Sequence, residues 1–157
     1  MLQEIERKFL VKNSSYKEGS YKKIYIKQGF LNSDKNRTVR IRISDNKGFI
    51  TIKGISNLNG ITRFEWEKEI DFNEATLLFT LCEEGIIEKN RFFVKSGIHV
   101  FEVDEFLGDN IGLIVAEIEL TNENDFFEKP NWLGKEVTGN VNYYNSRLSK
   151  NPYKNWE

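Results

Sequence analysis

A chain of 157 residues, 39% of them hydrophobic, is the size of one domain with a substantial core. Its 23 basic and 24 acidic side chains leave a formal net charge of -1, which argues against nucleic-acid and membrane-surface partners, since both select a basic excess. Cys82 is the single cysteine, so an intrachain disulfide is excluded and a reducing compartment fits.

No apolar run approaches the roughly 18 residues of a membrane span, and charges beginning at Glu4 leave no signal-peptide core; the cytoplasm is the expected location. Only Pro130 and Pro152 occur, and no repeat or Pro/Gly/Ser-rich linker interrupts the chain, so residues 1–157 read as one domain.

Strand signals, meaning β-branched or aromatic residues at period 2 between turns, fall in eight segments. The first, Gln3–Val11, sets Glu4, Glu6 and Lys8 on one face, two carboxylates about 7 Å apart with an ammonium one step beyond. Lys23–Leu31 follows. Thr38–Ser44 gathers Arg40 and Arg42 on one face and aliphatics on the other; Phe49–Gly54 adds Lys53. Asp45-Asn46-Lys47-Gly48 between these two is short enough for a hairpin. In Thr62–Asp71, Arg63, Glu65, Glu67 and Glu69 share a face, opposite Phe64, Trp66, Lys68 and Ile70.

The segment Asn73–Glu84 is predicted helical, with Asn73 as N-cap and Gly85 as stop. Ile87–Lys95 aligns Lys89 with Arg91, and a Ser96-Gly97 turn leads to His99–Phe106, where Glu102 and Asp104 share a face. Leu113–Thr121 places Glu117 and Glu119 together. Asn122–Lys129 and Val141–Ser149 are predicted as short helices. Antiparallel strands joined by tight turns suggest a mainly β (α+β) fold: an eight-stranded closed barrel, helices outside, and a helix at the C-terminus.

An ordinary one-sided sheet explains any single strand of this kind. It explains the set poorly, because like charges at i, i+2 repel and need compensating charge or a bound ion. A closed barrel with a charged interior reconciles the parities, and eight strands leave room for one small ligand. Carboxylates suit Mg²⁺ or Mn²⁺, which prefer oxygen ligands. Arginines and lysines opposite them suit a polyanion. Both signs together point to a metal–phosphate complex, and a triphosphate is narrow and charged enough for such a lumen. No phosphate-binding Gly-rich loop ends in Lys-Ser/Thr, and His99 and Cys82 alone make no zinc site. By parity Trp66 points away from the charged face, and Phe93 is the one aromatic expected to point in.

Glu4-Ile5-Glu6-Arg7-Lys8 matches the Glu-x-Glu-x-Lys signature of the CYTH superfamily, the triphosphate tunnel metalloenzymes. The similarity continues through Val39–Arg42, Thr51–Lys53, Arg63-x-Glu65-x-Glu67, Lys89-x-Arg91, Val103-Asp104, Glu117–Glu119, Trp132–Thr138 and Tyr144-Asn145. The chain therefore resembles the short bacterial members along nearly its whole length.

That resemblance implies an antiparallel tunnel and a divalent metal held by Glu4, Glu6, Glu117 and Glu119, with Asp104 and Glu67 assisting. It implies phosphate binding by Lys8, Arg40, Arg42, Lys53, Arg63, Lys89 and Arg91, with Lys135 adding a cation at one mouth. Lys8, Arg42, Lys53 and Arg91 are expected to act in catalysis by taking up developing charge. Family members include inorganic triphosphatases, thiamine triphosphatases and adenylate cyclases. Without an evident pocket for an organic group, inorganic tripolyphosphate is the expected substrate, ahead of thiamine triphosphate or ATP. A non-catalytic polyphosphate-binding module is the reading of a different class. The oligomeric state is open, with a homodimer among the options.

Overall fold

A computed structural model describes residues 2–156. Nine strands form one antiparallel sheet: β1 (Gln3–Val11), β2 (Ser20–Asn32), β3 (Arg37–Ser44), β4 (Lys47–Ser56), β5 (Thr62–Ile70), β6 (Ile87–Ser96), β7 (His99–Phe106), β8 (Ile114–Glu119) and β9 (Leu133–Glu136). The order is β5-β4-β3-β2-β6-β7-β8-β1-β9, and a further β1–β5 pairing closes the first eight into a barrel. Closure rests on a short seam, Gln3↔Phe64, Glu4↔Arg63 and Ile5↔Thr62. Beyond it, the same edge of β1 is taken up by β9, through Phe9↔Glu136 and Val11↔Leu133. β9 is unexpected from the sequence: four residues, Leu-Gly-Lys-Glu, are too short for alternation to stand out.

Two hairpins have two-residue loops. Asp45 adopts φ 54° between Ser44 and Lys47, and Gly97 adopts φ 61° between Ser96 and His99. Positive φ at the first loop position matches the right-handed twist of the flanking strands.

The helices depart further from expectation. α1 (Tyr16–Gly19) is one short turn that buries Tyr16. α2 (Phe72–Phe79) starts earlier than predicted because Asp71, rather than Asn73, caps it, accepting from the amides of Asn73 and Glu74; it also stops well before Gly85. Asn122–Lys129 is not helical: Asp125 accepts from the amides of Thr121 and Asn122 and from the Thr121 hydroxyl, folding the segment into a turn. The Val141–Ser149 helix is divided into a 3-10 turn at Val141–Tyr143 and α3 (Asn145–Lys150).

Apolar residues occupy two separate places. Outside the barrel, Phe9, Phe92, Phe101, Val103, Ala116 and Ile118 pack under Tyr16, Phe127, Trp132 and Leu133. Inside one mouth, Ile87, Phe106, Leu113 and Val115 pack against Leu148, with Tyr143, Tyr153 and Trp156 alongside. Aromatic residues thus lie both outside the barrel and at one end, where α3 and its flanks form a plug. The plug seats closely: at Gly85 (φ 98°), a Cβ would lie 1.9 Å from the Ser149 carbonyl oxygen.

Candidate active site

Paired residues on neighbouring strands share a face, so the register decides what enters the lumen. The ladders join Glu6↔Glu119, Lys8↔Glu117, Glu102↔Glu117, Arg91↔Asp104, Gln28↔Arg42, Arg40↔Thr51, Thr51↔Glu67, Lys53↔Glu65 and Glu4↔Arg63. All belong to the inward face. A cavity of about 260 Å³ is lined by seven carboxylates, Glu4, Glu6, Glu65, Glu67, Glu102, Glu117 and Glu119, and by seven cations, Lys8, Arg40, Arg42, Lys53, Arg63, Lys89 and Arg91.

The two signs are segregated by topology. β7, β8, β1 and β5 are consecutive around the barrel and carry the acids; β4, β3, β2 and β6 complete it, and β4, β3 and β6 carry the bases. Lys8 on β1 and Arg63 on β5 are the two cations on the acidic half among the lining residues.

Across the lumen the charges partly satisfy one another. Lys53 Nζ contacts both oxygens of Glu4, at 3.0 and 3.1 Å, and lies 3.4 Å from Glu65. Glu67 sits between the arginines, 3.5 Å from Arg40 and 3.2 Å from Arg42, and accepts from Thr51. Asp104 is 1% exposed; Arg91 clasps it bidentately at 2.7 and 2.9 Å, and Lys89 Nζ approaches to 2.9 Å. Asp104 thus lies behind two cations and does not line the cavity. Lys135 is exposed on β9, also away from the lining. The other expected site residues are brought together.

Crowding sets the protonation. Burial, then the charges of Glu117 and Glu4, push Glu6 well above the usual carboxylate range, and a hydrogen bond with Glu117 favours its protonated form. Burial opposes ionisation of Glu117 too, but Lys8, this hydrogen bond and Arg91 carry it well below its ordinary value. Glu65 is pushed to about 7 by burial and by Glu4. Glu4 stays below its ordinary value because Lys53 outweighs the burial cost. Burial brings Lys89 down to about 8 despite Asp104, and burial with repulsion from Arg40 brings Arg42 to about 10.

The donor set fits a hard cation in chemistry, being carboxylate oxygen throughout. Among the described residues no three such groups already converge on one point, which suits an ion held by one or two carboxylates that keeps several waters. The cationic side has capacity left as well: the buried Nε–H groups of Arg40 and Arg42 find no acceptor among the described residues. Because the lining acids and bases are equal in number, its net charge stays small whether or not Glu6 is protonated; a multiply charged anion entering alone would leave the lumen negative, and a cation arriving with it restores the balance.

Glu65, Glu102, Tyr144 and Asn145 line the site without having been given a role in it from the sequence. Glu65 and Glu102 had a signal, sharing parity with Glu67 and Asp104. Tyr144 and Asn145 had none beyond family likeness, because they reach the lumen through the plug. Phe30 also points in, opposite Arg40, on a strand whose other inward residues, Ile24, Ile26 and Gln28, carry no charge to mark that face, while Phe93 stands beside Tyr21 at the mouth away from the plug.

Comparison with known proteins agrees with this geometry. The CYTH domain family profile matches residues 2–152. An inorganic triphosphatase of Acetivibrio thermocellus is 48% identical over 158 aligned positions, spanning 100% of this chain and 99% of that protein. One from Nitrosomonas europaea is 32% identical, over 93% and 96%. The crystal structure of an inorganic triphosphatase superposes with TM-score 0.66 at 31% identity, covering 92% of this chain and 96% of that one. A Pyrococcus horikoshii protein at 22% identity, with TM-score 0.61 over 76% and 80%, shares the fold.

Proposed function

Taking as premise that the chain belongs to the CYTH domain family, we propose that it is an inorganic triphosphatase. It cleaves tripolyphosphate to pyrophosphate and phosphate inside the barrel, with Mg²⁺ or Mn²⁺ as the partner ion. One observation carries this reading: an acidic half-wall faces a basic half-wall across a single cavity. The triphosphatase relatives, aligned over more than nine-tenths of the chain, support it.

Glu4, Glu6, Glu117 and Glu119 would hold the cation, one or two of them directly and the others through its waters, with Glu67 assisting. When bound, the ion supplies a water of lowered pKa and offsets charge on phosphoryl oxygens. Arg40, Arg42, Lys53, Lys89 and Arg91 bind the phosphates from the opposite wall, with Lys8 and Arg63 closing over them. Lys8, Arg42, Lys53 and Arg91 then take up the charge that bond cleavage places on the leaving group, which preorganised donors do best. Asp104 serves by orienting Arg91 and Lys89 rather than by binding metal. Lys135 has no part. A single domain acting in the cytoplasm as a metal-dependent enzyme is part of the same proposal; no helix among the described residues is long and apolar enough to cross a membrane.

A second reading has one observation in its favour. The mouth opposite the plug is rimmed by Tyr21, Phe93 and Phe126 beside Glu102 and Glu119, and such a rim can receive the organic group of ATP or thiamine triphosphate. Phosphate release measured with Mg²⁺ and with Mn²⁺ over tripolyphosphate, ATP, thiamine triphosphate and pyrophosphate separates the two. Preference for tripolyphosphate is expected; a strong preference for an organic triphosphate transfers the assignment to the second reading, and no metal-dependent turnover of any of them removes both.

A further inference from the structure

Lys8 and Arg63 stand among carboxylates on the acidic half-wall, yet both lean on the plug. The Tyr144 ring lies 5.3 Å from Lys8 Nζ and 5.5 Å from the Arg63 guanidinium carbon. Lys8 also reaches the Tyr143 carbonyl at 3.4 Å, while its carboxylate contact, with Glu117, is looser at 3.8 Å. The Tyr144 hydroxyl is itself fixed, 3.2 Å from Ser56 Oγ on β4. One residue on, Asn145 Oδ1 accepts from Lys89 Nζ at 3.1 Å and from the fully buried Gln28 at 3.0 Å.

The contacts to Lys8, Arg63 and Lys89 share one property: each is a neutral group holding a cation. A ring face or an amide oxygen attracts an ammonium or guanidinium without cancelling its charge. A carboxylate in the same place would fix the cation equally well and neutralise it toward an incoming anion.

We propose that Tyr144 and Asn145 are positioning residues of the phosphate grip, aiming Lys8, Arg63 and Lys89 at the anion without adding to the carboxylates, Glu117 and Asp104, that already face Lys8 and Lys89. This rests on the triphosphatase reading of the lumen and extends it to the C-terminal segment, which becomes part of the working site as well as its stopper. The plug contacts of Leu148, Tyr143, Tyr153 and Trp156 supply the rigidity that such aiming needs.

The test is steady-state hydrolysis of tripolyphosphate by the full chain, with melting curves for every variant. Asn145→Asp keeps the shape and adds one charge; KM is expected to rise about tenfold with kcat changed far less, a split that loss of structure alone does not produce. Tyr144→Leu is expected to lower kcat/KM about tenfold, and Tyr144→Phe, which keeps the ring, to recover most of that loss. Combined with Lys8→Ala, Tyr144→Leu should cost less than it does in the parent, the remainder being its hold on Arg63; combined with Arg40→Ala, which Tyr144 does not touch, the losses should multiply. The inference is overturned if KM of Asn145→Asp stays within about twofold of the parent, or if Tyr144→Leu combines with Lys8→Ala as it does with Arg40→Ala. Should Tyr144→Leu fail to melt cooperatively, Asn145→Asp decides by itself. Should the parent protein not turn over tripolyphosphate, the hydrolase reading fails on its own. Calorimetric Kd for tripolyphosphate, compared across the same variants, then tests the aiming, and equal values sink it.

Discussion

Lys53 on β4 reaches past β5 to hold both carboxylate oxygens of Glu4 on β1, at 3.0 and 3.1 Å. The contact spans the seam that closes the barrel, where β1 and β5 share only three paired positions. One ion pair therefore joins closure of the sheet to the state of the lumen. Lys53 is expected to bind phosphate, and Glu4 to bind metal, so substrate and ion compete for partners that the free protein has paired with each other.

Replacing Lys53 with Met leaves Glu4 and Glu65 without their cation. Breaking a largely buried pair from one side costs about 3–5 kcal/mol. Urea denaturation should register a loss of that order, and adding Glu4→Gln to Lys53→Met should restore part of it. Equal stability of the parent and the single variant would place the pair in effectively free solvent.

Changing Glu6 to Gln should abolish metal-dependent turnover without weakening the metal-free fold. Burial and the Glu117 and Glu4 charges disfavour ionisation of Glu6, so a neutral amide suits the same surroundings. Calorimetry without metal should give a Tm at or above the parent's, while phosphate release falls to background. Retention of rate and metal dependence would remove Glu6 from the ion site.

Arg42 has a buried Nε–H with no acceptor among the described residues; Glu67 and the Phe49 ring, 4.9 Å away, hold the rest of the guanidinium. That N–H is available to charge developing on a phosphoryl oxygen. Arg42→Ala should lower kcat/KM by about 2–4 kcal/mol in transition-state terms, with a much smaller effect on Tm. A kcat/KM near the parent value would move Arg42 out of the chemistry.

Alkaline loss of activity should trace to Lys89. Its pKa in the folded chain is about 8, below the ordinary lysine value, so the ammonium that grips phosphate is lost as pH rises through that point. The kcat/KM profile should bend downward near there, and Lys89→Arg should move the bend upward. For stability the sign is the reverse: a depressed lysine contributes least below pH 8 and progressively more toward its unfolded value.

Metal-free stability should fall between pH 5 and 7.5. Glu6 and Glu65 have raised values, so the native state holds protons that the unfolded chain has already released, and their contribution is lost as pH climbs through this window. Glu4, Glu117 and Asp104 are lowered and act at more acidic pH, where protonating them costs stability. Melting temperatures with and without MgCl₂ check this directly: the metal should flatten the decline by replacing the retained protons. A flat profile without metal would contradict the crowding of carboxylates.

Much of the site was legible in the chain because strand parity is a local property. Glu4, Glu6 and Lys8, or Arg40 and Arg42, share a face whatever the strand pairs with, so period 2 alone separates lumen from exterior. Eight strands and their hairpins follow from the same alternation and from turn residues such as Asp45 and Gly97. Competing local signals misled the helix assignments: Asp71 displaced Asn73 as cap, and Asp125 drew its backbone into a turn where a helix was expected.

Which strand stands beside which is not local. The sequence determined that acids and bases would each collect on one face; only the closed order β7-β8-β1-β5 and β4-β3-β2-β6 decided that they form two opposed half-walls. The Tyr144 ring over Lys8 and Arg63 and the apolar plug belong to the same class. Each joins residues far apart in the chain, and such contacts are set by the register and packing of the whole barrel, for which no short pattern of residues carries a signal.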